Sequence, residues 1–160
     1  MDKVQKNKEL IERYPFLMPR NLWTNEISEN YDFSHTYLDD MPDGWRNAFG
    51  EEMCEEILEE LISTNTLETY RIIQVKEKFG SLRWYDEGGS DRIFWEIVPK
   101  YAARSMQTCI HCGKPATKKS TGWISPWCDA CAEGVADERF VEISPAIDHA
   151  REEYDEIHEN

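Results

Sequence analysis

Long apolar runs are missing from this sequence, and so is an excess of positive charge. No stretch approaches the ~18–20 consecutive apolar residues that a membrane-spanning helix needs. The opening residues, MDKVQKNKELIERY, are charged and have no apolar core. That argues against a secretory signal and makes a cytoplasmic location the expectation. Lys and Arg number 18 against 32 Asp and Glu, a formal net charge of −14. Such a chain repels phosphate over most of its surface, which disfavours nonspecific nucleic-acid binding by the molecule as a whole. P-loops, dinucleotide fingerprints and GxSxG elbows do not occur. Histidine is scarce as well. None of His35, His111, His149 and His158 is followed at the second position by Glu, and Trp127 separates Pro126 from Cys128. Both halves of a zinc-deaminase signature are therefore missing. An HNH-type nuclease needs catalytic histidines beside its metal, and only His111 lies among the cysteines. These absences lead to a non-catalytic reading. A hydrolase or nuclease whose site carries no recognisable motif is the outlying alternative.

What is present suffices for one hydrophobic core. The chain has 160 residues, 40% hydrophobic and 12% aromatic, a composition that excludes wholesale disorder. Charge is distributed unevenly. Residues Glu26–Glu68 carry 13 acidic side chains and one basic, and Glu133–Asn160 carry 10 and two. Between them, Tyr70–Arg83 nets +3 and Cys109–Cys131 nets +2.

The patterning predicts an α+β fold, with helices packed on a small antiparallel β-hairpin and a zinc-ribbon-like four-cysteine module toward the C-terminus. Residues 3–13 read as a helix that stops before Pro15. From Pro15 to Pro42 the chain reads as irregular but ordered, packing through Phe16, Leu22, Trp23, Tyr31 and Phe33. The strongest helix covers 43–62, where Met53, Cys54, Ile57, Leu58, Leu61 and Ile62 form an apolar stripe. Glu51, Glu52, Glu55, Glu56, Glu59 and Glu60 fill the opposite face. That face reads as solvated, with docking of a basic partner as the functional alternative. Asp39, Asp40 and Asp43 read as a solvated, helix-capping loop rather than a cation site. A hairpin is expected over 69–86, with Gly80 in its turn, Ile73 and Val75 sharing one face, and Leu82 and Trp84 another. Ser90 is placed to cap a helix over 91–107. Its apolar face is Phe94, Ile97, Val98, Tyr101 and Ala102, and Pro99 kinks it. Domain boundaries follow: an α+β body over 1–107, the cysteine module over 108–138 packed on it, and an acidic tail over 139–160, with 151–159 helix-compatible.

Cys109, Cys112, Cys128 and Cys131 form two Cys-x2-Cys pairs separated by fifteen residues, a spacing that reads as one zinc site. Two cysteines three apart, followed by Gly113, make a tight knuckle whose thiolates converge, because glycine tolerates the turn. The second pair, CDAC, sits where a turn enters a helix that is expected to run to about Glu138. Four thiolates complete a tetrahedral shell with no position left for water, which assigns the metal a structural role. A module of about 23 residues cannot bury enough surface to fold unaided, whereas zinc binding contributes roughly 10–16 kcal/mol. Trp123, Ile124 and Trp127 are expected to pack against the hairpin and its neighbours. Two disulfides, a thioredoxin-type redox pair and rubredoxin-like iron are the competing readings. Zn2+ is the expected ion. His111 reads as an exposed knuckle residue and Cys54 as a core residue.

The segments YPFLMPRN, YLDDMPDGWRNAFG, VKEKFGSLRWY and TGWISPWCDAC resemble a bacterial and prophage protein family that carries no assigned activity. The resemblance implies that the body and the cysteine module form one unit, and it favours an accessory role in phage–host conflict. Three functions compete. The first is a zinc-stabilised regulatory module that binds a protein partner. The second is an acidic mimic of nucleic acid that occupies the channel of a defence nuclease through the six glutamates. The third is nucleic-acid binding through Lys76, Lys78, Arg83, Lys114, Lys118 and Lys119, with Trp84 or Trp123 stacking on bases.

Overall fold

A computed structural model describes residues 1–135 and 139–143. Helix α1 spans Lys3–Arg13. Asp2 caps it by accepting the Gln5 N–H at 2.8 Å, and Pro15 ends it as expected. Its buried side, Asn7, Leu10 and Ile11, faces the core, where Asn7 donates its amide to Phe33 O at 2.8 Å. The long helix of the body starts at α2 (Asp43–Trp45), widens into a π-helical turn over Arg46–Gly50, and continues as α3 (Glu51–Ser63). The backbone stays right-handed helical at both junctions. Trp45, Met53, Cys54, Ile57 and Leu61 are fully buried in the core. Burial pushes the Cys54 thiol up, in keeping with a core role. The stripe is narrower than its periodicity suggests, since Ile62 is 63% exposed.

The glutamate face of α3 is not a free solvated surface. Arg13 pairs with Glu55 at 2.8 Å, Lys100 with Glu56 at 2.5 Å, Arg92 with Glu60 at 3.1 Å, and Arg104 with Glu52. Tyr14 and Tyr101 donate their hydroxyls to Glu55 and Glu56. The partners come from α1 and from the helix after residue 90, so spacing within α3 gives no sign of them. Glu51 and Glu59 alone of the six are exposed with no ion pair among the described residues.

Strands β1 (Arg71–Lys78) and β2 (Ser81–Glu87) form the hairpin. Its turn is the pair Phe79–Gly80, with φ of +53° and +77°. Two successive positive φ values are the I′ geometry whose twist matches that of the strands. A bulge between Ile72 and Gln74 shifts the register. One extra residue there turns Ile72, not Ile73, to the side of Val75. Ile72, Val75, Leu82 and Trp84 are all buried. Packing against β2 is α4 (Val98–Ser105), which follows a second π-helical segment, Ile93–Ile97. Here too the expected face shifts. Ile93, Ile97, Tyr101 and Ser105 are buried, a constant spacing of four that suits a widened turn. Phe94 points out, 61% exposed. The Ser90 hydroxyl does not cap the helix but bonds Glu60 Oε1 at 2.8 Å.

Between α1 and the long helix the chain is irregular. Phe16 is buried, and Tyr31 and Phe33 are half-buried against the core. Leu22 and Trp23 are not core residues: they are 48% and 95% exposed, on a polar turn that Asn21 holds through its own side chain. Asp39 closes this segment. It accepts the Thr36 N–H at 2.7 Å and pairs with Arg46 at 2.5 Å and Lys3 at 3.3 Å. Burial opposes ionisation of Asp39, but the Thr36 N–H and the Arg46 guanidinium outweigh it and hold its carboxyl below the usual carboxylate range. The folded chain therefore releases this proton more readily than the unfolded one, so the stabilisation is present above pH ~4 and fades as pH falls through the lowered value. Asp39→Asn is expected to cost about 2 kcal/mol at pH 7. Urea melts of both proteins should converge below pH ~4. An equal gap at pH 3 and pH 7 would contradict this account.

The C-terminal module contains β3 (Lys118–Ser120), β4 (Pro126–Trp127), α5 (Asp129–Ala132) and β5 (Phe140–Glu142), with the sheet ordered β4-β3-β5 and antiparallel. The α+β architecture with a zinc-ribbon-like four-cysteine module is the one expected. Two details differ. Helix α5 lasts one turn, and the chain turns at Gly134, φ +82°. Residues 140–142, read as part of an acidic tail, add a strand to the module by pairing with β3. The continuation through 136–138 and the helix-compatible stretch 151–159 lie outside the described residues. No described helix is long and apolar enough to cross a membrane.

Candidate metal centre

The first cysteine pair is built by a closed turn. Cys109 accepts the Gly113 N–H at 3.0 Å and gives its own N–H to Lys114 O at 2.7 Å. Gly113 has φ +86°, which a Cβ-bearing residue resists. The second pair opens α5, with Cys128 at the N-cap and Ala132 N–H returning to Cys128 O at 3.1 Å. A backbone bond ties the halves together: Ile110 N–H donates to Pro126 O at 3.0 Å. The strand carrying the second pair thus lies against the first knuckle. Thr117 fixes the helix start by bonding Asp129 Oδ1 at 2.6 Å.

As a result the four sulfur atoms lie within 4.8 Å of one another, and Cys112 Sγ and Cys128 Sγ are 3.6 Å apart. Cys109 and Cys128 are buried, Cys112 is exposed, and all the cysteines are free thiols. Backbone N–H groups point at the sulfurs: Lys114 at Cys112 (3.5 Å) and Cys131 at Cys128 (3.4 Å). Burial opposes ionisation of Cys109, but backbone N–H groups of Cys112, Cys128 and His111 bring its thiol down to about 7. Cys131 moves the other way, to about 12, through its bond to Cys128 and then burial. Four thiols so close cannot all ionise side by side, because each thiolate raises the cost of the next. A metal cation removes that conflict. The donor set and its convergence therefore fit a metal ion, and the four residues are those the sequence singles out. Among the described residues this is the only such cluster. His111 is exposed and stacks on Trp127 at 4.1 Å between ring centroids.

The knuckle docks on the body through contacts that spacing does not reveal. Gly44 N–H donates to Ile110 O at 2.9 Å, and Trp45 Nε1 to Thr108 O at 2.9 Å. A Cβ on Gly44 would stand 2.1 Å from Cys109 O. The long helix therefore begins in direct contact with the metal knuckle. On another side, the hairpin turn meets the loop between β3 and β4. A Cβ on Gly80 would lie 3.2 Å from Ile124 O, and Trp123 Nε1 reaches Glu77 Oε2 at 3.3 Å. Ile124 is half-buried, as expected for packing on the hairpin. Trp123 is 78% exposed, and Trp127 packs on His111 and Phe140 within the module. No family model, curated protein or solved structure matches this chain.

The predicted interaction residues divide sharply. Glu52, Glu55, Glu56 and Glu60 are already ion-paired. Lys76, Lys78 and Arg83 lie together on the outer face of the hairpin, Lys76 opposite Arg83. No carboxylate among the described residues is within ion-pairing distance of these three. Lys118 lies 3.9 Å from Asp129, while Lys114 and Lys119 are exposed. Trp84 cannot stack on a ligand, since it is 4% exposed and bonds Tyr70 through Nε1. Two aromatics missed by the sequence reading stand in its place: Phe79, 70% exposed, and Tyr85, 43% exposed. The signal was available, because Phe–Gly stands where a hairpin turn favours Asn–Gly. A groove of about 450 Å³ runs past Phe16, Leu22, Tyr37, Tyr70 and Arg71, and its lining contains no histidine, cysteine or serine.

Proposed function

We propose that the four thiolates hold a structural zinc ion, and that the chain is a non-catalytic accessory protein whose binding face is the outer side of the hairpin with the adjoining Trp123 loop. The observation that carries this reading is the contact between the metal module and the hairpin turn, through Gly80–Ile124 and Trp123–Glu77. A tetrahedral Zn2+ with bonds of about 2.3 Å sets its sulfurs ~3.8 Å apart, close to the 3.6 Å between Cys112 and Cys128. Iron in a rubredoxin-like site needs the same donors, so the identity of the ion is decided by elemental analysis. With four protein ligands the ion has no open coordination position, and its work is to hold strand β3 with Lys119 and the loop that carries Trp123. The acidic-mimic reading is less well supported, because four of its six glutamates are neutralised within the fold.

Purified chain is expected to contain one zinc. Removing it with a chelator should accelerate hydrogen exchange in residues 109–131 and, through the contact at Gly80, at the hairpin turn. Unchanged exchange at the turn would refute the idea that zinc organises this face.

A further inference from the structure

Phe79 occupies the first central position of an I′ turn at φ +53°. Positive φ is costly for a side chain with a Cβ, and bulky residues pay most. Asparagine or glycine meets the same geometry with less strain. The phenyl ring gains little burial in return, being 70% exposed. Backbone strain kept around a solvent-facing ring points to a use for the ring. Its surroundings indicate which use. Lys78 Nζ lies 5.6 Å from the Phe79 ring centroid and Lys76 Nζ 5.7 Å from that of Tyr85. Arg83 stands opposite Lys76 on the same face, and the exposed Trp123 stands at the edge of the turn, bonded to Glu77, whose side chain alternates to the other side of β1 from Lys76.

We infer that this face binds single-stranded nucleic acid, with bases stacking on Phe79, Tyr85 and Trp123 and phosphates held by Lys76, Lys78 and Arg83. The inference rests on the binding face proposed above and names its ligand. Exposed aromatics interleaved with cations that have no carboxylate partner among the described residues are what a flexible strand needs, because every base offers a π face. A duplex hides those faces, and an acidic peptide has no use for three exposed rings. The net charge of −14 does not forbid this. Glu52, Glu55, Glu56 and Glu60 already have cationic partners in the fold, and a Debye length of about 10 Å at 0.1 M salt screens the remaining distant carboxylates.

The test is fluorescence anisotropy of a labelled oligothymidylate of about 12 nucleotides, titrated with the zinc-loaded full chain. Three phosphate contacts predict a salt slope near −2 for a single strand, so affinity should fall about 20-fold between 50 and 200 mM salt. Phe79→Asn and Trp123→Ala should each weaken binding about 10-fold. Phe79→Asn relieves the turn and should melt no lower than the parent chain, so its loss of binding is not a loss of fold. Three results overturn the inference: no binding at 50 mM salt, equal affinity for duplex with no effect of the aromatic variants, or labelled polyglutamate bound as tightly as the oligonucleotide. Zinc content measured in the same samples separates the failures. A fully loaded chain that binds no oligonucleotide refutes this ligand and leaves the zinc-held module standing.

Discussion

Cys109→Ser is expected to release the metal and lower the melting temperature by about 10 °C. The sulfur is fully buried and one of four converging donors. A serine hydroxyl is a poor replacement, because a soft thiolate is what binds such an ion tightly. Binding energy in modules of this kind is largely folding energy. The damage also travels, because the knuckle carries the carbonyls of Thr108 and Ile110 that receive Trp45 Nε1 and Gly44 N–H. Loosening it exposes the fully buried Trp45. A loss of about 3–4 kcal/mol corresponds to roughly 10 °C in a chain of this size, at 2–4 °C per kcal/mol. Cys128→Ser should behave alike. Cys54→Ala is the control: it leaves a small core cavity costing about 1 kcal/mol and keeps one metal per chain. Metal analysis with thermal melts checks all three. A Cys109→Ser chain that melts with the parent would exclude a structural site.

Gly44→Ala replaces none of the four cysteines, yet it should disable the centre almost as effectively. In an ordinary helix, Gly to Ala gains about 1 kcal/mol. Here the new Cβ would lie 2.1 Å from Cys109 O and 2.6 Å from the carbonyl carbon of Ile110. Those are backbone atoms and cannot swing aside, so the helix and the knuckle must part and the Gly44–Ile110 bond is lost. A net cost of about 3 kcal/mol is expected, with at least a tenfold drop in apparent zinc affinity read by competition with a chelator. Gly50→Ala supplies the contrast on the same helical path. Its Cβ would meet only the Arg46 and Leu38 side chains, at 3.4 Å, so it should change stability by less than about 1 kcal/mol. If both variants behave alike, the knuckle does not depend on close approach of the helix.

The metal centre and the α+β class were legible because both are written in local spacing. Cys-x2-Cys pairs with a following Gly113, the stripe through Met53, Ile57 and Leu61, and the Phe79–Gly80 turn each need only neighbouring residues to be recognised. Errors arose where one residue changes the register of those that follow. The bulge near Ile73 and the π-helical turn over Ile93–Ile97 each shifted which side chains face the core, so Ile72 and Ile93 are buried while Phe94 is not. A period read from sequence assumes a regular element, and packing is what inserts the irregularity.

By itself, then, the sequence determined the four cysteines that converge on one point, the helical and hairpin segments and the imbalance of charge, because short-range geometry and composition dictate them. Only the tertiary structure decided which charges remain available. It spent Arg13, Arg92, Lys100 and Arg104 on the glutamates of α3 and left Lys76, Lys78 and Arg83, beside exposed aromatics, with no carboxylate partner among the described residues. It also decided that the metal knuckle rests on Gly44 and that the Trp123 loop meets the hairpin turn. Ion pairing and close backbone approach join residues more than 30 positions apart, and no local pattern carries that information.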